Sequence, residues 1–492
     1  MDTSIQAASR AMSKKVETYR CGMDEFWNRQ IGETYPMAFA RRMGGCQDLI
    51  HRLELSVKLR KHKGCVNTVS FNPSGELLVS GSDDREIIIW DWATGNKKLS
   101  FNSGHTNNVF QARIMPFTDD HTLVSCAADG QVRFSEVKED GCVDTRKIGK
   151  HRGRAHKLAI EPGSPHIFFS CGEDGVVQHF DLRARAATKL FTCHAFPAKG
   201  LKHTPIVQLN AIIIDPRNPN CFATGGSDEY ARLYDIRNYQ WDASSNKDNP
   251  INSFSPHHLI GNGHVHITGL AYSNQSELLV SYNDELIYLF QKVMGLGPCP
   301  NSSSETSEET EAPQVYEGHR NFRTVKGVSF LGSNTEYVMS GSDCGHIFIW
   351  KKKGGQLVHL MRGDKDVVNC LEPHPYMTVL ATSGIEKTIK IWAPTADRLL
   401  TLNGDAEEQV MKANKRKREQ YADHSFPSDL IKHILRIQRR RSEPDFERSY
   451  SRSDYEGEDE DDHDEYTVDF MTESDDSSED GDHLSPQDCI IN

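Results

Sequence analysis

A motif that recurs seven times along the chain constrains its fold more than any other feature. Each copy runs through an apolar segment, a short turn with an acidic residue, and alternating apolar residues that close, in most copies, on an aromatic. In the first copy Trp90 closes the motif, Asp84 stands six residues before it and Ser80 ten. Five of the seven copies place the acid at this spacing, at Asp84, Asp129, Asp174, Asp228 and Asp284. The agreement in position indicates a repeat protein.

The period of the motif predicts the architecture. Successive copies lie about 42 to 60 residues apart, longer than the roughly 40 to 45 residues of a WD40 repeat, as expected if some loops are extended. Each copy can form a four-stranded sheet, and seven sheets that close into a ring remove most exposed sheet edges. We therefore predict an all-β fold, a seven-bladed WD40 β-propeller over residues 48–402. The predicted flanking segments are an N-terminal arm, partly helical or disordered (1–47), a basic helical segment (403–441) and an acidic disordered tail (442–492).

The recurring His, Ser and Asp residues have two interpretations. A turn aspartate can accept hydrogen bonds from a histidine at the blade entrance, from the strand hydroxyl and from the closing tryptophan, which would fix the blade through buried polar groups. A hydrolase triad would need one set that stands apart, whereas this set recurs in nearly every copy, so we assign it a structural role. The predicted structural residues are His62, Ser80, Asp84, Trp90, Asp129, Asp174, Asp228, Asp284, Trp350 and Trp392. The sixth and seventh copies depart from the pattern, with Cys344 and Glu386 at the acidic position.

Two segments compete for the strand that closes the ring. Apolar residues alternate over residues 53–59, just before the first copy, and this segment could supply the outer strand of the last blade. The apolar run at 398–402 could fill the same place. The sequence leaves both possibilities open.

The formal charge of -13 is concentrated near the C-terminal end. Residues 454–492 hold 17 Asp and Glu and no Lys or Arg, so the rest of the chain carries about +4. That remainder has no strong basic stripe, and we expect no direct binding of nucleic acid. The first 20 residues lack the apolar core of a signal peptide, and no apolar run approaches the roughly 18 residues of a membrane span. We expect a nuclear and cytoplasmic protein that does not contact membranes.

A basic cluster lies beyond the predicted propeller. Its residues Lys415, Arg416, Lys417 and Arg418 resemble a nuclear import signal. Solvated charge on a helix explains the same cluster equally well, and the sequence alone does not choose between the two interpretations.

The cysteines and the common catalytic motifs argue against an enzyme. Twelve cysteines are scattered singly, with no CxxC pair and no Cys/His spacing that suits zinc. Neither a phosphate-binding loop nor a nucleophile elbow is present. We expect a non-catalytic protein without metal or cofactor.

Two consecutive copies of the repeat end in the same four-residue shape. Residues 180–183 and 234–237 each run aromatic, aspartate, aliphatic, arginine, and the other five copies have no arginine at this position. Ordinary turn chemistry explains one such instance, whereas confinement to an adjacent pair favours a surface patch. Equivalent positions in neighbouring repeats would place the two arginines at equivalent corners of adjacent blades.

These closing motifs resemble the WDxR boxes of the DCAF family, the WD40 substrate receptors of cullin-4 RING ubiquitin ligases. Phe180 and Tyr234 stand where the box names tryptophan. Longer phrases extend the resemblance over roughly residues 48–415, among them HKLAIEPGSP, GEDGVVQHFDLR and NCLEPHPYMTVLATSGIEKTIKIWAPTA. In these phrases the chain looks most like the eighth member of the DCAF series and its plant relatives.

The resemblance implies a role in protein ubiquitination. By motif, Arg183 and Arg237 would contact the damaged-DNA-binding adaptor of the cullin-4 ligase, with Asp181 and Asp235 shaping their turns. The protein would then be a non-catalytic substrate receptor that presents a target protein. The alternative is a WD40 scaffold or a histone- or chromatin-binding protein that acts without the ligase. The sequence names neither the target nor the surface that holds it, and it gives no oligomeric state.

Overall fold

The structure is a ring of seven four-stranded antiparallel sheets, which confirms the predicted seven-bladed β-propeller. It is a computed structural model that describes residues 27–184, 187–197, 204–239, 247–300, 312–400 and 404–424. The first 26 residues, the second half of the predicted basic segment and the whole acidic tail lie outside the described residues. No helix in the described part of the chain is long and apolar enough to cross a membrane.

Strands β1 to β28 follow one another along the chain. The first strand, β1, is Glu54–Arg60. Blade 1 consists of β2 (Val66–Phe71), β3 (Leu77–Ser82), β4 (Glu86–Asp91) and β5 (Asn96–Asn102). Blade 2 consists of β6 (Val109–Ile114), β7 (Thr122–Ala127), β8 (Gln131–Val137) and β9 (Val143–Lys150). Blade 3 consists of β10 (Ala155–Ile160), β11 (Ile167–Gly172), β12 (Val176–Asp181) and β13 (Thr188–Thr192). Blade 4 consists of β14 (Leu209–Ile214), β15 (Cys221–Gly226), β16 (Ala231–Asp235) and β17 (Asn252–Phe254).

The remaining blades keep the same strand order. Blade 5 consists of β18 (Ile267–Tyr272), β19 (Leu278–Tyr282), β20 (Ile287–Phe290) and β21 (Gln314–Tyr316). Blade 6 consists of β22 (Val328–Leu331), β23 (Tyr337–Gly341), β24 (His346–Lys351) and β25 (Leu357–Arg362). Blade 7 consists of β26 (Val368–Pro373), β27 (Leu380–Gly384), β28 (Thr388–Ala393) and the N-terminal β1.

Strand order within a blade defines two faces of the propeller. We letter the strands a to d from the innermost to the outermost; in blade 1 these are β2, β3, β4 and β5. Because neighbouring strands are antiparallel, the a–b and c–d turns lie on one face, and the b–c turns and d–a loops lie on the other. We call the first the box face, because both arginine turns follow c strands, and the second the entrance face.

The N-terminal strand closes the ring. Strand β1 pairs antiparallel with β28, with Glu54 opposite Ala393 and Arg60 opposite Thr388. Leu59 is buried, and the pairing leaves no free outer edge on β28. Of the two segments that the sequence left open, 53–59 therefore supplies the closing strand, while residues 398–400 lie outside any strand.

Two short helices connect the N-terminal arm to the propeller. Helix α1 (Pro36–Gly44) and helix α2 (Gln47–Ile50) precede β1. Ile50 and Leu53 are buried in the core between blades 6 and 7. The Arg52 guanidinium donates hydrogen bonds to the carbonyls of Ala396 (2.7 Å) and Asp397 (2.9 Å). These contacts hold the arm against the last blade next to the ring closure.

The fifth blade extends further along the chain than the repeat pattern indicated. Its outer strand β21 begins at Gln314, and 23 residues separate it from the end of the c strand β20 at Phe290. Val315 and Tyr316 pair with Tyr288 and Ile287 of the c strand. Because β21 has only three residues, its pattern is too short to be recognised as a strand from the sequence.

Helix α3 (Gly404–His424) packs on the entrance face. Val410 and Met411 contact the core of blades 5 and 6. Asn414 is buried, and its Nδ2 donates to the Gly318 carbonyl (2.8 Å) and to Cys344 Sγ (3.3 Å). Part of the predicted basic segment is therefore a helix that docks on the propeller, on the face opposite the arginine turns.

Candidate docking site at two arginine turns

Blade 1 contains the predicted polar network in a slightly different form. His62 Nδ1 is 2.9 Å from Asp84 Oδ2, and His62 Nε2 is 2.8 Å from Ser80 Oγ. The Trp90 indole donates to Ser80 Oγ at 2.8 Å, and not to Asp84 as the sequence suggested. The histidine is thus the bridge between the turn aspartate and the serine–tryptophan pair. Burial disfavours the ionised Asp84, but hydrogen bonds from His62 and from the backbone keep its pKa below the ordinary value.

The same His–Asp–Ser arrangement recurs in blades 2 and 3. Asp129 lies 3.1 Å from His105 Nδ1, and Asp174 lies 2.9 Å from His151 Nδ1. The histidines bond onward to Ser125 and Ser170. The entrance histidine, the b strand and the b–c turn are therefore tied together in the first three blades.

Blades 4 and 5 depart from the predicted network. Asp228 forms a two-pronged ion pair with Arg232 (2.9 and 2.5 Å), whose side chain is buried and also lies over the Phe196 ring. Asp284 has a positive φ of 54°, and its Oδ1 has no hydrogen-bond partner among the described residues. Burial raises the pKa of Asp284 to about 6. The expected partnership of Asp284 with a blade-entrance histidine is therefore wrong, because His264 does not bond to it.

Lysine takes over the role of histidine in blades 6 and 7. Lys326 and Asp343 form an ion pair with both side chains fully buried, and Lys390 pairs with Asp364 and with Glu386 (2.8 Å). The Trp350 indole donates to the Glu317 carbonyl (2.9 Å), and the Trp392 indole donates to Thr382 Oγ1 (2.9 Å). The closing tryptophans thus keep a hydrogen-bond acceptor in both blades.

We expect Asp84→Ala to destabilise the fold without a direct effect on binding. The change leaves His62 Nδ1 and the Lys63 amide, which now donate to Asp84, without this acceptor. A loss of about 1 to 3 kcal/mol in the free energy of unfolding follows, measured by chemical denaturation. Loss of a partner at an unchanged denaturation midpoint would contradict the structural role.

The first arginine turn follows strand β12 of blade 3. Asp181 Oδ1 accepts the backbone N–H of Arg183 (3.0 Å), which closes a tight turn through the side chain. The guanidinium returns to the same carboxylate, with Nε 2.9 Å from Oδ1 and Nη2 2.8 Å from Oδ2. The preceding Phe180 is buried and stacks on Phe168 at 4.5 Å between ring centroids. Phenylalanine therefore anchors the turn where the box names tryptophan.

The second turn repeats this geometry after strand β16 of blade 4. Asp235 Oδ1 accepts the backbone N–H of Arg237 (3.0 Å), and the Arg237 Nε and Nη2 donate to its carboxylate at 2.9 and 2.6 Å. Tyr234 is fully buried, and its hydroxyl donates to Asp248 (2.9 Å). The two blades thus present the same clamp of an aspartate on an arginine, on the box face.

Each clamp holds an exposed guanidinium in a fixed orientation. The Arg183 and Arg237 side chains are 65% and 66% exposed. Of the five N–H groups of a guanidinium, two bind the aspartate, and the other three make no hydrogen bond to the described residues. The hydrogen bond from Arg183 lowers the pKa of Asp181 to about 2, so the pair stays ionised at neutral pH. In blade 1 the equivalent Asp91 accepts from Thr94, and no arginine follows.

A groove of about 520 Å³ joins the two turns. Asp181 and Ala184 line its blade 3 side, and Ile236 and Arg237 line its blade 4 side. Its floor includes Phe169, His179 and Tyr239. Burial lowers the pKa of His179 to about 4, so this ring is neutral at neutral pH. The structure therefore places Asp181 of the first sequence-predicted box and Ile236 and Arg237 of the second on one groove, whereas Arg183 does not line it.

Other predicted features lie away from this groove. Lys415, Arg416 and Lys417 are exposed on helix α3, whereas Arg418 is half-buried, and its charge contributes to the pKa of Asp284. In the part of the chain that the structure describes, no group of three or more His, Cys, Asp and Glu could hold a metal ion.

Comparisons with known proteins identify the repeat and several relatives. The family model "WD domain, G-beta repeat" matches residues 53–91, 311–351 and 355–393. Each matched segment begins with the d strand of one blade and continues into the a, b and c strands of the next. The repeat in the sequence thus begins one strand before the blade in the structure. Strand β1 is the first strand of the first repeat and the outer strand of blade 7.

The relatives include proteins named for the cullin-4 ligase. Mouse DDB1- and CUL4-associated factor 6 is 31% identical over 302 residues, which is 60% of this chain and 33% of that protein. Mouse WD and tetratricopeptide repeats protein 1 is 22% identical over 603 residues, 74% of this chain and 88% of that protein. Protein ALTERED SEED GERMINATION 2 of Arabidopsis thaliana is 33% identical over 285 residues, 52% of this chain and 38% of that protein. The match thus spans about a third of the length of factor 6, and these distant similarities do not point specifically to the eighth member of the series.

Proposed function

Because the chain is a WD40-repeat β-propeller protein distantly related to DDB1- and CUL4-associated factors, we propose that it is a substrate receptor of a cullin-4 RING ubiquitin ligase. It would dock on the damaged-DNA-binding adaptor through Arg183 and Arg237 and hold a target protein near the ubiquitin-charged enzyme. Such a receptor raises the effective concentration of the target and performs no chemistry itself.

The observation that carries this proposal is the pair of matched clamps around one groove. Both guanidinium groups are oriented by a carboxylate before any partner arrives, so little side-chain entropy is lost on binding. Arginine with outward N–H groups suits carbonyl and carboxylate acceptors, and arginine is enriched among residues that dominate interface energies. The complementary surface on the adaptor would therefore offer backbone carbonyls or acidic side chains to both positions.

Exposed apolar side chains on the same face support a protein partner. Phe117, in the a–b turn of blade 2, is 79% exposed, and Val293, after the c strand of blade 5, is 78% exposed. Among the described residues of the seven blades these are the most exposed large apolar side chains. Their blades, 2 and 5, are the neighbours of blades 3 and 4, which carry the two arginine turns. Apolar residues around charged anchors are typical of a surface that another protein covers.

Phe117→Gly should separate binding from stability. Phe117 has a positive φ of 57°, a conformation that glycine adopts without strain. We expect the thermal midpoint to stay equal or rise, and the affinity for the adaptor to fall about tenfold, measured by surface plasmon resonance. Ile260→Ala, on the entrance face, is the control and should change neither quantity. An unchanged affinity in Phe117→Gly would show that Phe117 is not part of the interface, which would then be confined to the groove at the two arginine turns.

Co-purification tests the proposed function directly. The full chain, captured from cells, should bring down the adaptor and cullin-4, and a proteasome inhibitor should increase the recovery of its target. Capture of neither adaptor nor cullin-4 would favour the alternative, a WD40 scaffold or chromatin-binding protein that acts without the ligase. We propose that the protein is present in both the nucleus and the cytoplasm. Imaging of a variant truncated before residue 404 would test whether the basic cluster on helix α3 acts as a nuclear import signal.

A further inference from the structure

The innermost strands of the seven blades enclose a channel with an uneven distribution of charge. The channel has a volume of about 430 Å³ and is lined by residues from all seven a strands. Three of its lining residues are charged: Arg113 of blade 2, Lys157 of blade 3 and Glu372 of blade 7. Blades 4 to 6 contribute apolar and small residues, such as Ala211, Gly269 and Gly327. The cations therefore lie on one wall of the channel, opposite an apolar wall.

The two cations are incompletely paired within the protein. Arg113 Nη1 lies 3.8 Å from Glu372 Oε1, beyond hydrogen-bond distance, and Arg113 Nε is buried without a hydrogen-bond partner among the described residues. Lys157 Nζ likewise has no hydrogen bond or ion pair within the part of the chain that the structure describes. A buried guanidinium N–H without an acceptor costs free energy, so such a group normally finds a partner.

The electrostatics of the channel agree with this excess of positive charge. Burial raises the pKa of the Cys126, Cys171 and Cys370 thiols, and the positive charge of Lys157 opposes that rise in all three. Burial raises the pKa of Glu372 above its ordinary value, against the opposing effect of Arg113 and Lys157. The single carboxylate among the lining residues is thus weakened as a counter-ion.

We propose that the channel binds one oxyanion, a carboxylate or a phosphate group, between Arg113 and Lys157. The guanidinium offers paired N–H donors to two oxygens of the anion, and the ammonium supplies a second charge from the adjacent blade. A channel of about 430 Å³ admits a small free anion or one acidic side chain inserted by a partner protein. This inference does not depend on the arginine turns or on the proposed ligase role.

Isothermal titration of the full chain with inorganic phosphate, and separately with two peptides, tests the site and its source. One peptide carries a single glutamate among glycines and serines, and the other carries glutamine in its place. Binding of phosphate identifies a free anion, and binding of the glutamate peptide alone identifies a partner's side chain; either result supports the site. If neither phosphate nor the glutamate peptide binds, the proposal is wrong.

Four variants decide whether the binding occurs in the channel. Lys157→Met and Arg113→Met should each weaken the affinity at least tenfold, as expected for the loss of a charged hydrogen-bond partner. Glu372→Gln should strengthen it several-fold, because it removes the competing carboxylate; a purely structural role of these residues predicts no gain. Lys98→Met, on the exposed outer strand of blade 1, is the control and should leave the affinity unchanged. Equal affinities in wild type, Lys157→Met and Glu372→Gln would overturn the assignment. If a Met variant does not fold, Glu372→Gln still tests the site.

Discussion

Replacing both Arg183 and Arg237 by alanine is expected to abolish capture of the adaptor and cullin-4 while the propeller stays folded. Each arginine side chain is about two-thirds exposed, and within the described part of the chain its guanidinium donates hydrogen bonds to its own turn aspartate alone, so its loss removes no buried hydrogen bond of the fold. Truncating an arginine that becomes desolvated at an interface typically costs about 2 kcal/mol or more, roughly thirtyfold in affinity. Each single change should therefore weaken binding, and the double change should bring it below detection.

The conservative variants separate charge from geometry. Lysine at both positions keeps the charge but lacks the paired N–H groups that bind the aspartate on one edge and a partner on the other, so it should restore little binding. Asp181→Asn keeps the turn acceptor for the Arg183 amide but weakens the hold on the guanidinium. We expect a smaller loss of affinity from it than from Arg183→Ala.

The control for this experiment is an exposed arginine on the entrance face of the propeller. Arg133 is unsuitable because its guanidinium bonds to the Ser103 carbonyl, Gln131 and Thr145, and its replacement would disturb blade 2. Arg152 is exposed at the entrance of blade 3, on the opposite face from Arg183. Arg152→Ala should leave capture unchanged. If the folded double alanine protein captured the adaptor as well as wild type, we would abandon the receptor assignment.

The largest loss of stability is expected from Asp343→Ala in blade 6. Asp343 is the partner of the fully buried Lys326 ammonium and accepts the Phe322 amide at 2.7 Å. Its removal leaves a buried cation whose remaining acceptors, among the described residues, are the Thr324 carbonyl and hydroxyl. Breaking a buried ion pair by removing one partner costs about 3 to 5 kcal/mol, so we expect a loss of that order in chemical denaturation.

A double-mutant cycle tests the cause of that loss. Lys326→Met removes the cation but leaves Asp343 with its backbone donors, and Lys326→Met combined with Asp343→Leu removes both charges. The combined variant should be more stable than Asp343→Ala alone, because the fully buried ammonium is gone and only Arg320, 3.6 Å from Asp343, loses a carboxylate. The half-exposed pair of Arg323 and Asp366 is the matched control, and Asp366→Ala should cost less than about 1 kcal/mol. Equal losses in the two aspartate variants would show that burial of the pair is unimportant.

The repeat pattern predicted the fold well because strand periodicity and closing aromatics are local signals. Trp90, Phe180 and Tyr234 are buried where the pattern placed the closing residue. The pairing of the turn acids was harder to predict, because each partner depends on contacts between distant positions. In blades 4 and 7 the aspartates Asp228 and Asp364 pair with Arg232 and Lys390, each two residues before the closing aromatic. A basic residue at this position is an incomplete signal, because blade 2 has Arg133 there and still pairs Asp129 with His105.

The arginine turns illustrate the same division between local and non-local information. The aspartate two residues before each arginine is sufficient to predict a side-chain-closed turn, and the structure contains that turn twice. The groove between the turns could not be predicted, since it depends on how blades 3 and 4 pack and on residues such as Phe169 and Tyr239 that carry no motif. The roles of these residues in docking remain predictions.

Closure of the ring by β1 has a consequence for the newly synthesised chain. The strand at 54–60 pairs with 388–393, and about 330 residues separate the two. At a synthesis rate of roughly 5 to 20 residues per second, the first strand waits about 15 to 65 seconds for its partner to leave the ribosome. During that interval its backbone donors and acceptors are free to pair with another nascent chain. Slower elongation should therefore increase the dependence of this protein on chaperones, and a circular permutant that begins at the start of blade 1 and carries residues 54–60 after residue 393 should reduce it.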